Sequence, residues 1–309
     1  MKPSPSPTPR RRPPGLLALT LLLAAMGAAA QAQPLAAATV SDLRVLPDDR
    51  IDGERPSELS GLAWDADAQR LVAVSDRGRL FSFALTVEAD RITTLAPHFG
   101  GRIGGGTKVN AEALALRVSG GRVDLVVADE GAAQALVIDG AGRFRGHEPL
   151  PEALRDPAAR HGDNSGVEAL GWHPGHGLIA APQRPLRDTA PGVHRLYAAG
   201  RSWAFRAHPG GRSSIKDLVV LDTRRVLVLE KVAQDHGHLT LLREVDLDAC
   251  APTAPCDAPA ALIRDARLQP EDNFEGLTCL DTERCLLVTD NGGSGPTRTL
   301  FALLRLHRR

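Results

Sequence analysis

A phrase made of a carboxylate, a small or apolar residue, Leu and a short aliphatic strand recurs five times in this chain, and few architectures accommodate it. It reads Glu58-Leu59-Ser60-Gly61-Leu62-Ala63-Trp64, with one extra residue before the final Leu, then Glu112-Ala113-Leu114-Ala115-Leu116 and Glu168-Ala169-Leu170-Gly171-Trp172. The last two copies are Asp217-Leu218-Val219-Val220-Leu221 and Glu275-Gly276-Leu277-Thr278-Cys279-Leu280. The intervals are 54, 56, 49 and 58 residues. Short strands at such a period indicate propeller blades, small sheets that bury their faces only by stacking on one another.

After a turn, each copy is followed by an aliphatic run ending in a polar pair: Leu71 to Asp76-Arg77, Leu125 to Asp129-Glu130, Leu178 to Gln183-Arg184, Val226 to Glu230-Lys231 and Leu286 to Asp290-Asn291. Four to six apolar residues between turn signals read as a buried strand. Third strands follow at Leu80–Leu85 and Leu300–Leu304, and helical periodicity is absent beyond the N-terminal segment. The last repeat stops near Leu306, while Val40–Leu46 precedes the first repeat without a hairpin partner. Pairing these ends would close a ring and remove its open edge. The expected fold is all-β: a single β-propeller of five or six blades, mostly of four antiparallel strands, closed by the N-terminal strand.

This topology gathers charge. The motif carboxylate opens the innermost strand and the polar pair ends its antiparallel neighbour, so both fall at one end of the hairpin. The expected inner ring is Glu58, Glu112, Glu168, Asp217 and Glu275, with an adjacent ring of Asp76, Asp129, Gln183, Glu230 and Asp290. Arg77, Glu130, Arg184, Lys231 and Asn291 follow one residue further on. Five ionised carboxylates at one mouth would repel one another, so cations, basic neighbours, raised pKa values or backbone N–H groups must compensate. Hard oxygen donors suit Ca²⁺ over softer metals. The competing reading makes each carboxylate a backbone cap that links blades.

Residues 1–32 stand apart. Lys2 and Arg10-Arg11-Arg12 precede an apolar run from Gly15 to Ala30, and Ala30-Gln31-Ala32 offers a cleavage site. This reads as a signal peptide cut near Ala32, leaving a propeller domain over 33–309 in the periplasm or secreted medium. The apolar run is shorter than a bilayer span, so no stable membrane anchor is expected after cleavage. The whole chain carries 37 basic and 37 acidic residues. Removing the leader takes four basic and no acidic residues, leaving the mature chain at −4. Neither balance suits a nucleic-acid surface. Export makes Cys250, Cys256, Cys279 and Cys285 a disulfide set, for which spacing favours Cys250–Cys256 and Cys279–Cys285.

The ordered motifs E-L-S-G-L-A-W…V-S-D-R-G, N-A-E-A-L-A-L…A-D-E-G, G-V-E-A-L-G-W, I-K-D-L-V-V-L…V-L-E-K and N-F-E-G-L-T-C-L…V-T-D-N-G-G resemble the phytase-like family of exported bacterial propellers, whose members are often labelled "esterase-like activity of phytase". The likeness runs from about Leu59 to Leu306. Ala113 and Ala169 stand where the motif commonly has Gly, Gln183 replaces an acid, and the D-A-x-D-P-A type signature of calcium-dependent alkaline phytases is absent. The resemblance implies a Ca²⁺-dependent hydrolase of phosphoesters or related esters. Metal contacts would come from Glu58, Glu112, Glu168, Asp217 and Glu275 with Asp76, Asp129, Glu130, Glu230 and Asp290. Arg77, Lys108, Arg184, Lys216 and Lys231 would hold the substrate. A monomer acting on a small anionic or ester substrate is expected.

Other chemistries lack support. No G-x-S-x-G elbow occurs, and Gly292-Gly293-Ser294-Gly295 reads as a turn. Gly100–Lys108 lacks phosphate-loop spacing and a following helix. His173-Pro174-Gly175-His176 reads as a hairpin turn and Asp235-His236-Gly237-His238 as a loop. The alternative to a hydrolase is a non-catalytic ligand- or protein-binding propeller with structural carboxylates.

Overall fold

The strands predicted by the repeat pair into five antiparallel sheets of four. The computed structural model describes Met1 and residues 33–309, apart from 107, 131, 163–165, 211 and 294–296. Apart from Met1, the export segment read over 1–32 lies outside the described residues, as do Ser294 and Gly295 of the glycine turn. No helix among the described residues is long and apolar enough to cross a membrane.

In chain order, β1 is Leu35–Val45. The first blade is β2 (Leu59–Asp65), β3 (Arg70–Ser75), β4 (Arg79–Glu88) and β5 (Arg91–Arg102). The second is β6 (Ala111–Ser119), β7 (Arg122–Asp129), β8 (Gln134–Ile138) and β9 (Phe144–Pro149). The third is β10 (Val167–His173), β11 (Gly177–Pro182), β12 (Val193–Ala198) and β13 (Arg201–Arg206). The fourth is β14 (Arg212–Val220), β15 (Arg225–Ala233), β16 (His238–Asp246) and β17 (Ala260–Leu262). The fifth takes β18 (Asn273–Cys279), β19 (Arg284–Asp290) and β20 (Leu300–Arg308), with β1 as its outer strand. The ring closes as the repeat predicted, with five blades rather than six. Its closing strand is longer than expected, pairing from Leu35↔Arg308 to Val45↔Leu300.

The core is divided among the blade interfaces. Five apolar clusters each join two neighbouring blades: Leu62 and Phe83 meet Val288 and Phe301, for example, and Ala169 and Phe205 meet Ile215 and Val228. Phe83 and Phe301 pack edge to face at 5.7 Å across the seam that β1 closes. Both expected disulfides are present. Cys279–Cys285 joins facing residues of β18 and β19, and Cys250–Cys256 ties the loop before β17. His173–His176 is the hairpin turn between β10 and β11, its bend held by N–H donation from Gly175 and His176 to His173 Nδ1.

One irregularity repeats in every blade. The pairing of the two innermost strands slips between Leu59 and Gly61, Ala111 and Ala113, Val167 and Ala169, Ile215 and Asp217, and Phe274 and Gly276. Each slip is a β-bulge, which leaves one residue unpaired and turns its side chain out of the ladder. The bulged residues are Ser60, Glu112, Glu168, Lys216 and Glu275. Gly61 shows how closely the strands converge there, since a Cβ at that position would lie 2.7 Å from Leu114 N.

Candidate functional site

The bulges revise the expected rings. Glu112, Glu168 and Glu275 occupy the inner positions, whereas blades one and four place Ser60 and Lys216 there, not Glu58 and Asp217. Aligning the repeats on their Leu instead of their acid reveals this, through Ser60-Gly61-Leu62 and Lys216-Asp217-Leu218. Register also fixes the second ring. Ala111↔Asp129 and Ile215↔Glu230 pair as Leu59↔Ser75 does, so the residues equivalent to Asp76 are Glu130, Gln183, Lys231 and Asp290. Asp129 and Glu230 sit one residue off and turn away.

The two rings therefore form a charge-divided mouth. Both of their cations, Lys216 and Lys231, stand on the fourth blade, while unneutralised acids collect on blades one, two and five. Lys216 is buried and bridges two blades, with Nζ 3.2 Å from Glu168 Oε2 and 3.0 Å from Glu275 Oε1. Gln183 donates to Glu168 Oε1 at 2.7 Å, and Lys231 lies 3.3 Å from Glu275 Oε1. Burial pushes Glu168 up to about 7 against the pull of Lys216. Glu275 is buried too, yet Lys216 and Lys231 together bring it below the usual carboxylate range.

Most of the remaining candidates have protein partners. Glu58, left-handed at φ 55°, clamps Arg77 through two 2.7 Å bonds. Asp217 is fully buried below the rings and accepts from Leu218 N at 2.8 Å and Leu277 N at 2.7 Å. Asp129 accepts from Asn110 N, Glu130 from Asn110 Nδ2 and Asp290 from Gly292 N. Arg243 brackets Glu230 at 2.7 and 2.8 Å. Asp76 and Glu112 differ. Among the described residues neither carboxylate has an ion-pair partner, and Asp76 Oδ1 is buried with no hydrogen bond. Burial, then the neighbouring Glu58 and Asp290, push Asp76 up to about 7. Burial and the charges of Glu168 and Glu130 push Glu112 up to about 9. Among the described residues no three His, Cys, Asp or Glu side chains converge into a ready metal shell.

Arg77 and Lys108 line a 410 Å³ hollow on the acidic side, together with Glu58 and Asp76. Arg184, Lys216 and Lys231 instead line a 1030 Å³ cleft between the third and fourth blades. Arg187, Arg212, His161, His194, His208 and His238 also line it, and among the described residues no acidic one does. Among the described residues Arg184 and Arg212 form no ion pair. The repeat could not show this cleft, because its walls come from connections and from the end of β14, which runs past the rings to Arg212. Its one visible signal was the His and Arg content around 184–212.

Fold and site thus define a five-bladed propeller whose charged mouth opens on one side into a basic cleft. The chain belongs to the phytase-like family, described as "Esterase-like activity of phytase", which matches residues 55–293. Among solved structures it is similar to the PQQ-bound aldose sugar dehydrogenase of Streptomyces coelicolor, at 13% identity and a TM-score of 0.47, covering 89% of this chain and 100% of that one. It is also similar to the Pan2 WD40 domain of Neurospora crassa, at 12% identity and a TM-score of 0.40, covering 88% and 96%. No curated protein matches it.

Proposed function

We propose that this protein is an exported hydrolase of phosphoesters or related esters bearing an anionic group, acting where the basic cleft meets the carboxylate mouth. The observation that carries this reading is the charge division itself. Among the described residues, a 1030 Å³ cleft lined by five Lys or Arg and no acid abuts a mouth holding two carboxylates, Asp76 and Glu112, without ion-pair partners. Arg184, Lys216 and Lys231 would draw in and orient the anion. Water exclusion in the cleft would strengthen those contacts.

The donor chemistry fits a hard cation such as Ca²⁺. Among the described residues Asp76 has an orphaned oxygen and Glu112 has no ion-pair partner, and burial raises the pKa of both. Asp76 and Glu112 would be its protein contacts, each offering a carboxylate without a ready three-ligand shell among the described residues. Glu58, Glu168, Glu230 and Glu275 are already neutralised by Arg77, Lys216, Arg243 and the lysine pair, and Asp217 is bound to backbone N–H groups. When bound, such an ion lowers the pKa of water and polarises an ester oxygen.

Steady-state assays on a panel of phosphomonoesters, phosphodiesters and carboxylic esters, with Ca²⁺ and with EDTA, test the reading. Ca²⁺-dependent turnover is expected, with Glu112→Gln lowering kcat/KM at least about 10- to 100-fold, as losses around a metal do. No turnover by the wild type across the panel would overturn it. A second reading, a binding propeller, draws support from the many carboxylates that already hold protein partners. It predicts that Glu112→Gln raises the Tm by relieving repulsion while anion binding in the cleft persists.

A further inference from the structure

We propose that Ser213 is a nucleophile and that the basic cleft cleaves carboxylic esters carrying an anionic group. This rests on the hydrolase reading above and identifies the residue that would attack. Ser213 opens β14 on the cleft wall, half-buried, between two groups that can manage its proton. Its Oγ lies 2.5 Å from Glu230 Oε1 and 2.7 Å from His194 Nε2. Arg243 occupies Glu230 Oε2 with two bonds, so among the described residues the oxygen facing Ser213 is shared only with the His208 N–H at 2.8 Å.

The protonation states suit the task. Glu230 is buried, yet Arg243, Ser213 and the His208 N–H hold it below the usual carboxylate range, so it is an anion at neutral pH. His194 is buried against Phe205 and pushed down to about 4, so its imidazole is neutral. With Glu230 ionised, the Ser213 hydroxyl donates to it. His194 must then donate from Nε2 to Oγ, fixing the lone pair that would attack. His194 is a positioning residue in this scheme, and Glu230 is the base.

The steps balance. Oγ bonds to the ester carbonyl carbon as its proton passes to Glu230 Oε1, and in this attack, as in the later one by water, the C=O π pair moves onto oxygen and returns as the leaving group goes. The C–O bond to the leaving alkoxide breaks, and that alkoxide takes the proton from Glu230 and departs as the alcohol. Water then attacks the acyl carbon and gives a proton to Glu230. The acyl–Oγ bond breaks, and Oγ recovers that proton. Arg184 and Arg212, free of ion pairs among the described residues, would hold the anionic group.

The test is covalent. Incubating the full chain with a fluorophosphonate probe should add one adduct by intact mass, mapped to Ser213. Ser213→Ala should abolish it, while Ser214→Ala, whose Oγ donates to the Lys231 carbonyl, should not. Ser213→Ala should also reduce turnover of a nitrophenyl monoester of succinate at least about 1,000-fold. An unlabelled wild type, or an adduct elsewhere, overturns the proposal. So does unchanged ester turnover in a folded Ser213→Ala, and that result leaves the hydrolase reading standing. Labelled Ser213 without turnover of any ester overturns the esterase proposal together with the hydrolase reading.

Discussion

Asp217→Ala is expected to destabilise the propeller by about 3–5 kcal/mol, because it strands several buried backbone donors that each cost about 1–3 kcal/mol when left unpaired. The motif leucines Leu62, Leu218 and Leu277, each just past a bulge, donate their N–H groups to one carboxylate. Asp217 sits among them with no exposure at all. One oxygen accepts from Leu218 N of its own blade, the other from Leu277 N of the fifth, and Leu62 of the first also donates to the carboxylate. A single side chain thus joins three blades, on both sides of the closing blade. Burial raises its pKa well above the ordinary Asp value, although the donated hydrogen bonds oppose that. Asp217→Asn should not rescue stability. An amide has one oxygen, so its NH₂ would face either Leu218 N or Leu277 N, donor against donor. Urea unfolding measures both variants, and a loss below about 1 kcal/mol for the alanine would refute the role.

The same residue shows how far the sequence could be read. Period, strand length and alternation are local properties, so blade architecture, ring closure by the N-terminal strand and both disulfides were legible. Glu112, Glu168 and Glu275 were legible for the same reason: the acid and the Leu of the motif keep a fixed spacing in those copies. Glu58 and Asp217 were assigned to the ring because they are the acids nearest the Leu. Their actual places depend on which residue bulges, and that is decided by pairing with the neighbouring strand. Asp129 and Glu230 were misplaced by the same one-residue slip, which turns a side chain to the opposite face. The cleft was least legible. Its residues lie on connections and on a strand extension where Arg212 pairs with Ala233, and no repeat records those. Nor can composition reveal that a chain with equal acids and bases sorts them to opposite sides of one mouth.

Sorting of that kind makes Lys216 the hinge of the electrostatics, and Lys216→Met should cost about 3–5 kcal/mol near pH 8, the usual penalty for breaking a buried ion pair. The methionine fills much of the lysine stem's volume, so the loss reports charge more than packing. Among the described residues it leaves Glu168 with Gln183 and Glu275 with Lys231 and Asn273. Glu168 is already at about 7 with Lys216 present, and without it both carboxylates shift upward. A carboxylate whose folded pKa exceeds its ordinary value of 4.5 binds its proton in the folded state first. Stability is therefore regained as pH falls from above the folded pKa toward 4.5, and is lost as pH rises through that window. Urea unfolding at about pH 8 and about pH 5.5 should show the gap between variant and wild type shrinking by at least about half in acid. Adding Glu168→Gln should recover part of the loss at the higher pH, because the two sites touch and their effects are not additive. A gap independent of pH would assign the loss to the packing of the lysine stem and remove Lys216 from the electrostatic frame of the mouth.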